Sequence, residues 1–155
     1  MKIHRLDHIH IYCRDPEGSV RFYREVFGAD AIGKAKTSRG RTMHFVRLGG
    51  LALVLAPFPP GTEPGIPPAY DDGAYKRGFG VAHFGLHVDH LADAVESVRR
   101  LGGRILSEPK VHAGLRFAYV GAPDGVIIEL LEYNGDWTAL LGAPRPTQSR
   151  DLGAH

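Results

Sequence analysis

The chain has 155 residues, 43% hydrophobic and 23% charged, with a formal net charge of +2 at pH 7. That is enough apolar material for one compact domain with a real core, and the scattered basic residues form no run of the kind that nucleic acid or an anionic membrane selects. A single cysteine, Cys13, excludes an intramolecular disulfide and fits a reducing cytoplasm; the start MKIHRLDHIHIYC has no apolar segment to read as a signal peptide, and no apolar run reaches the ~20 residues of a membrane helix.

The first element alternates: Ile9, Ile11 and Cys13 fall on one face and His8, His10 and Tyr12 on the other, the period of a strand. Asp15 then offers a helix cap and Pro16 suits a first helical turn. Val20, Tyr23 and Phe27 follow with helical spacing, and Gly28 supplies a stop, so Pro16–Phe27 is expected as an amphipathic helix. Three strand-like runs come next, Ala29–Lys36, Thr42–Leu48 and Leu51–Ala56, separated by turn signals at Ser38-Arg39-Gly40 and Gly49-Gly50.

The same plan then recurs. Phe84, Leu86 and Val88 alternate against His83, Gly85 and His87; Asp89 is a candidate cap; and Leu91, Ala94, Val95, Val98 and Leu101 form one helical stripe ended by Gly102-Gly103. Strand-like runs follow at Arg104–Ser107, Leu115–Val120 and Val126–Tyr133. His8 and His83 occupy equivalent places 75 residues apart, as do Val20 and Val95, and Gly28 and Gly103. The chain is therefore expected to be α+β, a duplicated βαβββ with module one at 1–56 and module two at 81–133. Residues 57–80 carry six of the eleven prolines and read as a long connection, either a tether or a cover over a site. The tail, 134–155, is polar and rich in Gly and Pro, with Trp137, Leu140 and Leu141 as a candidate docking segment against a partner subunit.

A duplicated βαβββ with a histidine on the first strand of each copy resembles the vicinal oxygen chelate superfamily: glyoxalase I, methylmalonyl-CoA epimerase, fosfomycin resistance proteins, extradiol dioxygenases and bleomycin resistance proteins. The carriers are LDHIHIYCRDPEGSVRFYREVFG, the histidine of VAHFGLHV and the closing run FAYVGAPDGVIIELLE, together spanning about the first 133 residues. The resemblance implies two tandem modules forming a shared open barrel-like sheet with a central cleft, and a homodimer. It also implies metal ligands at His8, His83 and Glu129. The fourth family position falls at Leu53 or Val54, neither of which binds metal; glyoxalase I and the epimerases fill it with a carboxylate or amide. Two imidazoles and one carboxylate form the facial triad of non-heme Fe(II) enzymes and favour Fe²⁺, with Mn²⁺, Zn²⁺, Ni²⁺ or Co²⁺ as alternatives. A carboxylate at Glu129, beside Ile127 and Leu131, is costly to bury without a cation.

Around that set, Tyr119 stands where family members contact a substrate oxygen, and His112 lies in the loop before its strand, where extradiol enzymes carry an acid-base histidine. His10 and His87 are either substrate-facing acid-base groups or supporting and solvated ones. His44, Arg47 and Arg116 lie on strands able to line the cleft, and Glu132 is a conceivable base. The expected ligand is a small molecule with vicinal oxygens. Three functions compete: an Fe(II) extradiol-type dioxygenase, which the apolar fourth position, His112 and Tyr119 favour; a lyase, isomerase or transferase with a redox-inert metal; and a non-catalytic drug-binding protein, against which the intact triad argues.

Overall fold

The computed structural model describes residues 6–37, 39–61, 69–71, 74–76, 80–112 and 115–134. The first module runs β1 (His8–Cys13), α1 (Pro16–Phe27), β2 (Asp30–Lys36), β3 (Thr42–Leu48) and β4 (Leu51–Pro57); the second runs β7 (Phe84–His87), α2 (Leu91–Arg100), β8 (Arg104–His112), β9 (Leu115–Gly121) and β10 (Ile127–Glu132). Each module folds its strands into a four-stranded mixed sheet of the same order, β1-β4-β3-β2 and β7-β10-β9-β8. Among the described residues the parallel pairs are β1 with β4 and β7 with β10, the two that a helix-bearing crossover must join. The repeat expected from the sequence is thus present as two separately hydrogen-bonded sheets, with a short turn of 3₁₀ helix at Pro123–Gly125 between β9 and β10.

Local chemistry accounts for the elements. Asp15 caps α1 by accepting the Gly18 N–H at 2.9 Å, Pro16 occupies the first turn, and Gly28 closes the helix at φ 65°, a conformation that favours glycine. α2 is capped differently. Asp89 does not serve; the cap position is His90, whose side chain makes no capping bond. The Leu91 N–H instead donates to Glu132 Oε2 at 2.5 Å, so a carboxylate from the last strand replaces the local cap.

The helices cover one face of each sheet. Ile11, Cys13, Val46, Leu53 and Leu55 from the first sheet and Ala118, Val120, Ile128 and Leu130 from the second meet Tyr23, Leu91, Val95 and Val98 in one core spanning both modules. Leu101, expected on the buried stripe, is 46% exposed because the helix has already ended there. A backbone N–H at Arg14 donates to Asp124 Oδ2 at 3.1 Å, tying the end of β1 to the turn before β10.

Two readings of the sequence are corrected. β8 continues past Ser107 to His112, through Pro109, which an edge strand tolerates because one side needs no N–H donor. The connection at 57–80 is not devoid of structure: β5 (Ala69–Asp71) and β6 (Ala74–Lys76) pair as a small antiparallel hairpin. Trp137, Leu140 and Leu141 lie outside the described residues. Among the described residues no helix is long and apolar enough to cross a membrane.

Candidate metal centre

The helix-free face of each sheet carries the candidate ligands. On β10, Glu129 stands opposite Gly85 of β7 and opposite Tyr119 of β9. His83, two residues before Gly85, projects to the same face, and its Nε2 lies 3.2 Å from Glu129 Oε2. The Glu129 side chain is 14% exposed and the His83 side chain 29%. Its strand neighbours Ile127 and Leu131 are both buried. A mostly dehydrated carboxylate in such surroundings is stabilised by a cationic or hydrogen-bonding partner, and His83 is the one the structure supplies.

Tyr119 completes this corner. Its ring lies 5.3 Å from the His83 ring, edge to face, and 5.8 Å from Phe117. Its backbone N–H donates to the buried Ser107 hydroxyl at 3.1 Å, fixing the strand where the phenol emerges.

His8 is elsewhere. Its Nδ1 is 3.0 Å from Asp7 Oδ1, and the side chain is 47% exposed. Among the described residues no three of His, Cys, Asp and Glu are gathered closely enough to hold a metal ion. One chain thus brings together His83, Glu129 and Tyr119 and leaves His8 apart. The fourth family position resolves to Val54: it pairs with His10, two residues beyond His8, just as Glu129 pairs with Gly85, two beyond His83. Val54 is 4% exposed and apolar.

The remaining candidates divide by face. His10 packs its ring 4.9 Å from Tyr12 and lines, with His83, Phe84 and Ile127, a cleft of about 250 Å³ between the modules. Burial holds its pKa below the ordinary histidine value, and the charges of His8 and Arg41 lower it further. His87 stacks on Tyr133 at 4.1 Å and lies 3.2 Å from that residue's carbonyl, so it is engaged at the end of β10. His112 is exposed at the last position of β8, opposite Leu115, four residues along β9 from Tyr119, or about 13 Å of strand.

Three residues considered for the cleft belong to the other face. His44 is buried on the helix side with Val46 and Leu48. Arg116 donates to Glu132 at 2.8 Å, and Glu132 is committed to capping α2. The Leu91 N–H, opposed by burial and aided by Arg116, holds the Glu132 carboxyl below its usual range, which leaves it a structural anion and not a base. Arg47 stays on the helix-free face, exposed, paired with Ala52. Sequence reasoning passed over Arg41, whose place beside His10 depends on the folded turn between β2 and β3.

Comparison with known proteins agrees with this architecture. A family model for the Glyoxalase/Bleomycin resistance protein/Dioxygenase superfamily matches residues 5–130. The lactoylglutathione lyase of Salmonella typhimurium is 31% identical over 133 residues, covering 83% of this chain and 92% of that protein. A probable chloroplastic lactoylglutathione lyase of Arabidopsis thaliana is 30% identical, and this chain spans only 35% of its length. Among solved structures, the fosfomycin resistance protein FosX of Listeria monocytogenes, crystallised with Mn(II) and 1S,2S-dihydroxypropylphosphonic acid, superimposes with a TM-score of 0.65 at 18% identity, covering 91% of this chain and 100% of that one. The repeat, the sheet order and the matched residues together make the chain a member of the Glyoxalase/Bleomycin resistance protein/Dioxygenase superfamily.

Proposed function

We propose that the protein is a metal-dependent enzyme of the lyase or isomerase kind, acting on a small molecule through a redox-inert divalent cation held by His83 and Glu129 of one chain and His8 of a second. The observation that carries this reading is the 3.2 Å contact between His83 and Glu129 on an apolar strand. An imidazole and a carboxylate converging on one point, with a phenol at its edge, form two-thirds of a facial ligand set. His8 is displayed, exposed, on the equivalent strand of the other sheet. A homodimer that lays one chain's first sheet over its partner's second sheet brings the three together.

When bound, the cation supplies Lewis-acid polarisation of a substrate oxygen. Glu129 and His83 orient the substrate by fixing the metal, and Tyr119 offers its hydroxyl to the oxygen that gains charge. His10, in the cleft with His83, is placed to move a proton. The lactoylglutathione lyases among the relatives draw the reading toward this class and away from the ring-cleaving one. His112, about 13 Å along the sheet from Tyr119, has no part in it. The apolar Val54 offers no fourth protein ligand, which would set this chain apart from four-ligand glyoxalases.

A complementation experiment tests the split site. His8→Ala and Glu129→Ala homodimers each lack every complete triad. Mixed and re-associated one to one, a twofold dimer regenerates intact triads at about a quarter of the sites, since half of the dimers are mixed and each carries one good site. Recovery of tight Mn²⁺, Ni²⁺ or Zn²⁺ binding on mixing is the expected result. No recovery, with folded dimers of both variants, overturns it. Turnover of lactoylglutathione, set against oxygen uptake with catechols, then separates the two reaction classes.

A further inference from the structure

The duplication gives every position of one sheet a counterpart in the other. Two residues beyond the first-strand histidine of each module, the same cross-strand row runs through the sheet. In module one it is His10, Val54, Phe45 and Gly33. In module two it is Gly85, Glu129, Tyr119 and Ser107. On the last three strands of the row, module one is apolar or bare and module two carries a carboxylate, a phenol and a hydroxyl. Glu129 and Tyr119 already belong to the candidate centre; Ser107 is the third polar member of their row.

The backbone at the end of the row is the same in both copies. The register shifts between Ala31 and Gly33 on β2, and at the equivalent place between Ile105 and Ser107 on β8. Such a bulge inserts an extra residue and loosens the ladder beside it. Module one builds it with a glycine, and a Cβ added there would meet nothing within 4 Å. The bulge itself therefore neither calls for a hydroxyl nor forbids a side chain. Module two adds a second shift, between Ser107 and Lys110, so that residues 105–110 of β8 stand opposite residues 117–120 of β9. Ser107 sits between the two shifts, 8% exposed, and its Oγ accepts the Tyr119 N–H at 3.1 Å. A buried hydroxyl is costly unless it is hydrogen-bonded, and this one is bonded to the residue that carries the phenol.

We propose that Ser107 is a positioning residue for Tyr119: its hydroxyl pins the β9 backbone where the doubled bulge has weakened the ladder, and so fixes the phenol against His83. The Tyr119 ring meets the His83 ring edge to face at 5.3 Å and Phe117 at 5.8 Å, so a displacement of its Cα moves the hydroxyl relative to the metal side of the site. A misplacement of about 1 Å at a reacting group costs on the order of a hundredfold in rate. The assignment deepens the reading above and rests on it for what the phenol does; the placement of the phenol rests on the geometry alone.

The test follows Tyr119 directly. Protein labelled with 3-fluorotyrosine gives a fluorine signal for each of the six tyrosines, and that of Tyr119 is identified by its loss in Tyr119→Phe. Ser107→Ala is expected to move the Tyr119 signal and to speed exchange of the Tyr119 amide proton several-fold, up to about tenfold. Ser107→Thr, which keeps the hydroxyl, returns both toward wild type, and Asp15→Ala, which loosens α1 in the other module, moves neither. Metal affinity stays as in wild type, because the hydroxyl acts on Tyr119 and not on a ligand. With lactoylglutathione as substrate, kcat falls by about ten- to a hundredfold at little change in KM, and the same substitution in a Tyr119→Phe background adds nothing. A Tyr119 signal unmoved in folded Ser107→Ala, or an equal further loss of kcat once Tyr119 is already replaced, overturns the assignment. A wild type without this turnover, whose Tyr119 signal still follows the Ser107 hydroxyl, would remove the proposed reaction and leave the positioning role standing.

Discussion

Replacing Glu129 by leucine separates a residue kept for function from one kept for stability. The Glu129 carboxylate is 14% exposed, flanked by buried Ile127 and Leu131, and among the described residues its polar contact is with His83. Losing that contact costs roughly 1.5–3 kcal/mol if it is charge-assisted and less if it is not. Against this, a leucine of similar volume gains about 1.5–3 kcal/mol of apolar burial. It also removes the carboxylate's dehydration penalty, which in protein interiors amounts to several kcal/mol per ion. The balance favours the variant by about 1–3 kcal/mol. For a domain of this length, that raises Tm by about 3–9 °C in the presence of a chelator. The ordering reverses with metal: a cation at a thousand times its Kd stabilises the wild type by about 4.1 kcal/mol and the variant by nothing. Differential scanning calorimetry of both proteins, with chelator and then with Mn²⁺ or Zn²⁺, reads all four values. A Glu129→Leu protein less stable than wild type in chelator, or stabilised equally by metal, would show that the carboxylate belongs to the scaffold.

Other parts of the structure give sharper stability expectations. Asp15→Ala removes the α1 cap and is expected to cost about 1 kcal/mol, seen as a lower urea midpoint at unchanged slope. Gly103→Ala drives a methyl group into the Val98 side chain and to 3.1 Å from the Val98 carbonyl, an overpacking expected to cost about 1–3 kcal/mol in the same urea titration. Glu132→Gln tests the long-range cap on α2. Because the folded protein holds this carboxyl below its unfolded pKa, its contribution is complete above the unfolded value and disappears as pH falls through the folded one. The Tm gap between wild type and Glu132→Gln is therefore expected to be widest near pH 7 and to close below about pH 4; a gap that is constant with pH would place the effect elsewhere.

The elements were legible because their signals are local. Alternation in His8–Cys13, the Asp15-Pro16 start and the Gly28 stop each operate within a few residues, and the structure uses all of them. The same alternation, followed strictly along Thr42–Leu48, puts His44 with Val46 and Leu48 on the helix face and not in the cleft. β8 runs on past Ser107 through Pro109, a residue that alternation alone does not carry into a strand, because an edge strand accepts both the proline and the register shifts found there. The cap on α2 was not legible, since Glu132 reaches Leu91 across 41 residues of sequence. Arg41 was invisible for a related reason. A basic residue in a polar turn is ordinary in sequence, and only the folded chain shows that its guanidinium is half-buried without a carboxylate.

The duplication also explains why one chain gathers only part of the ligand set. Each module presents its first-strand histidine on the helix-free face, but only the second module has a carboxylate on the strand paired with it; the first has Val54 there. His83 therefore finds Glu129 within its own sheet, whereas His8 finds no acidic residue on β4 and turns to Asp7 at the surface. The margin of the helix-free face of module one is correspondingly left open: every residue of β2 is exposed, and Tyr12 and Phe58 are partly exposed to solvent. On the proposed dimer, the second module of the partner covers that face and supplies what it lacks. Metal affinity and subunit affinity then share one free energy. A cation binding the assembled site tightens the dimer by the same factor by which dimerisation tightens the metal. His8→Ala, which touches neither the core nor the His83–Glu129 pair, should erase that linkage while leaving the metal-free association constant nearly unchanged.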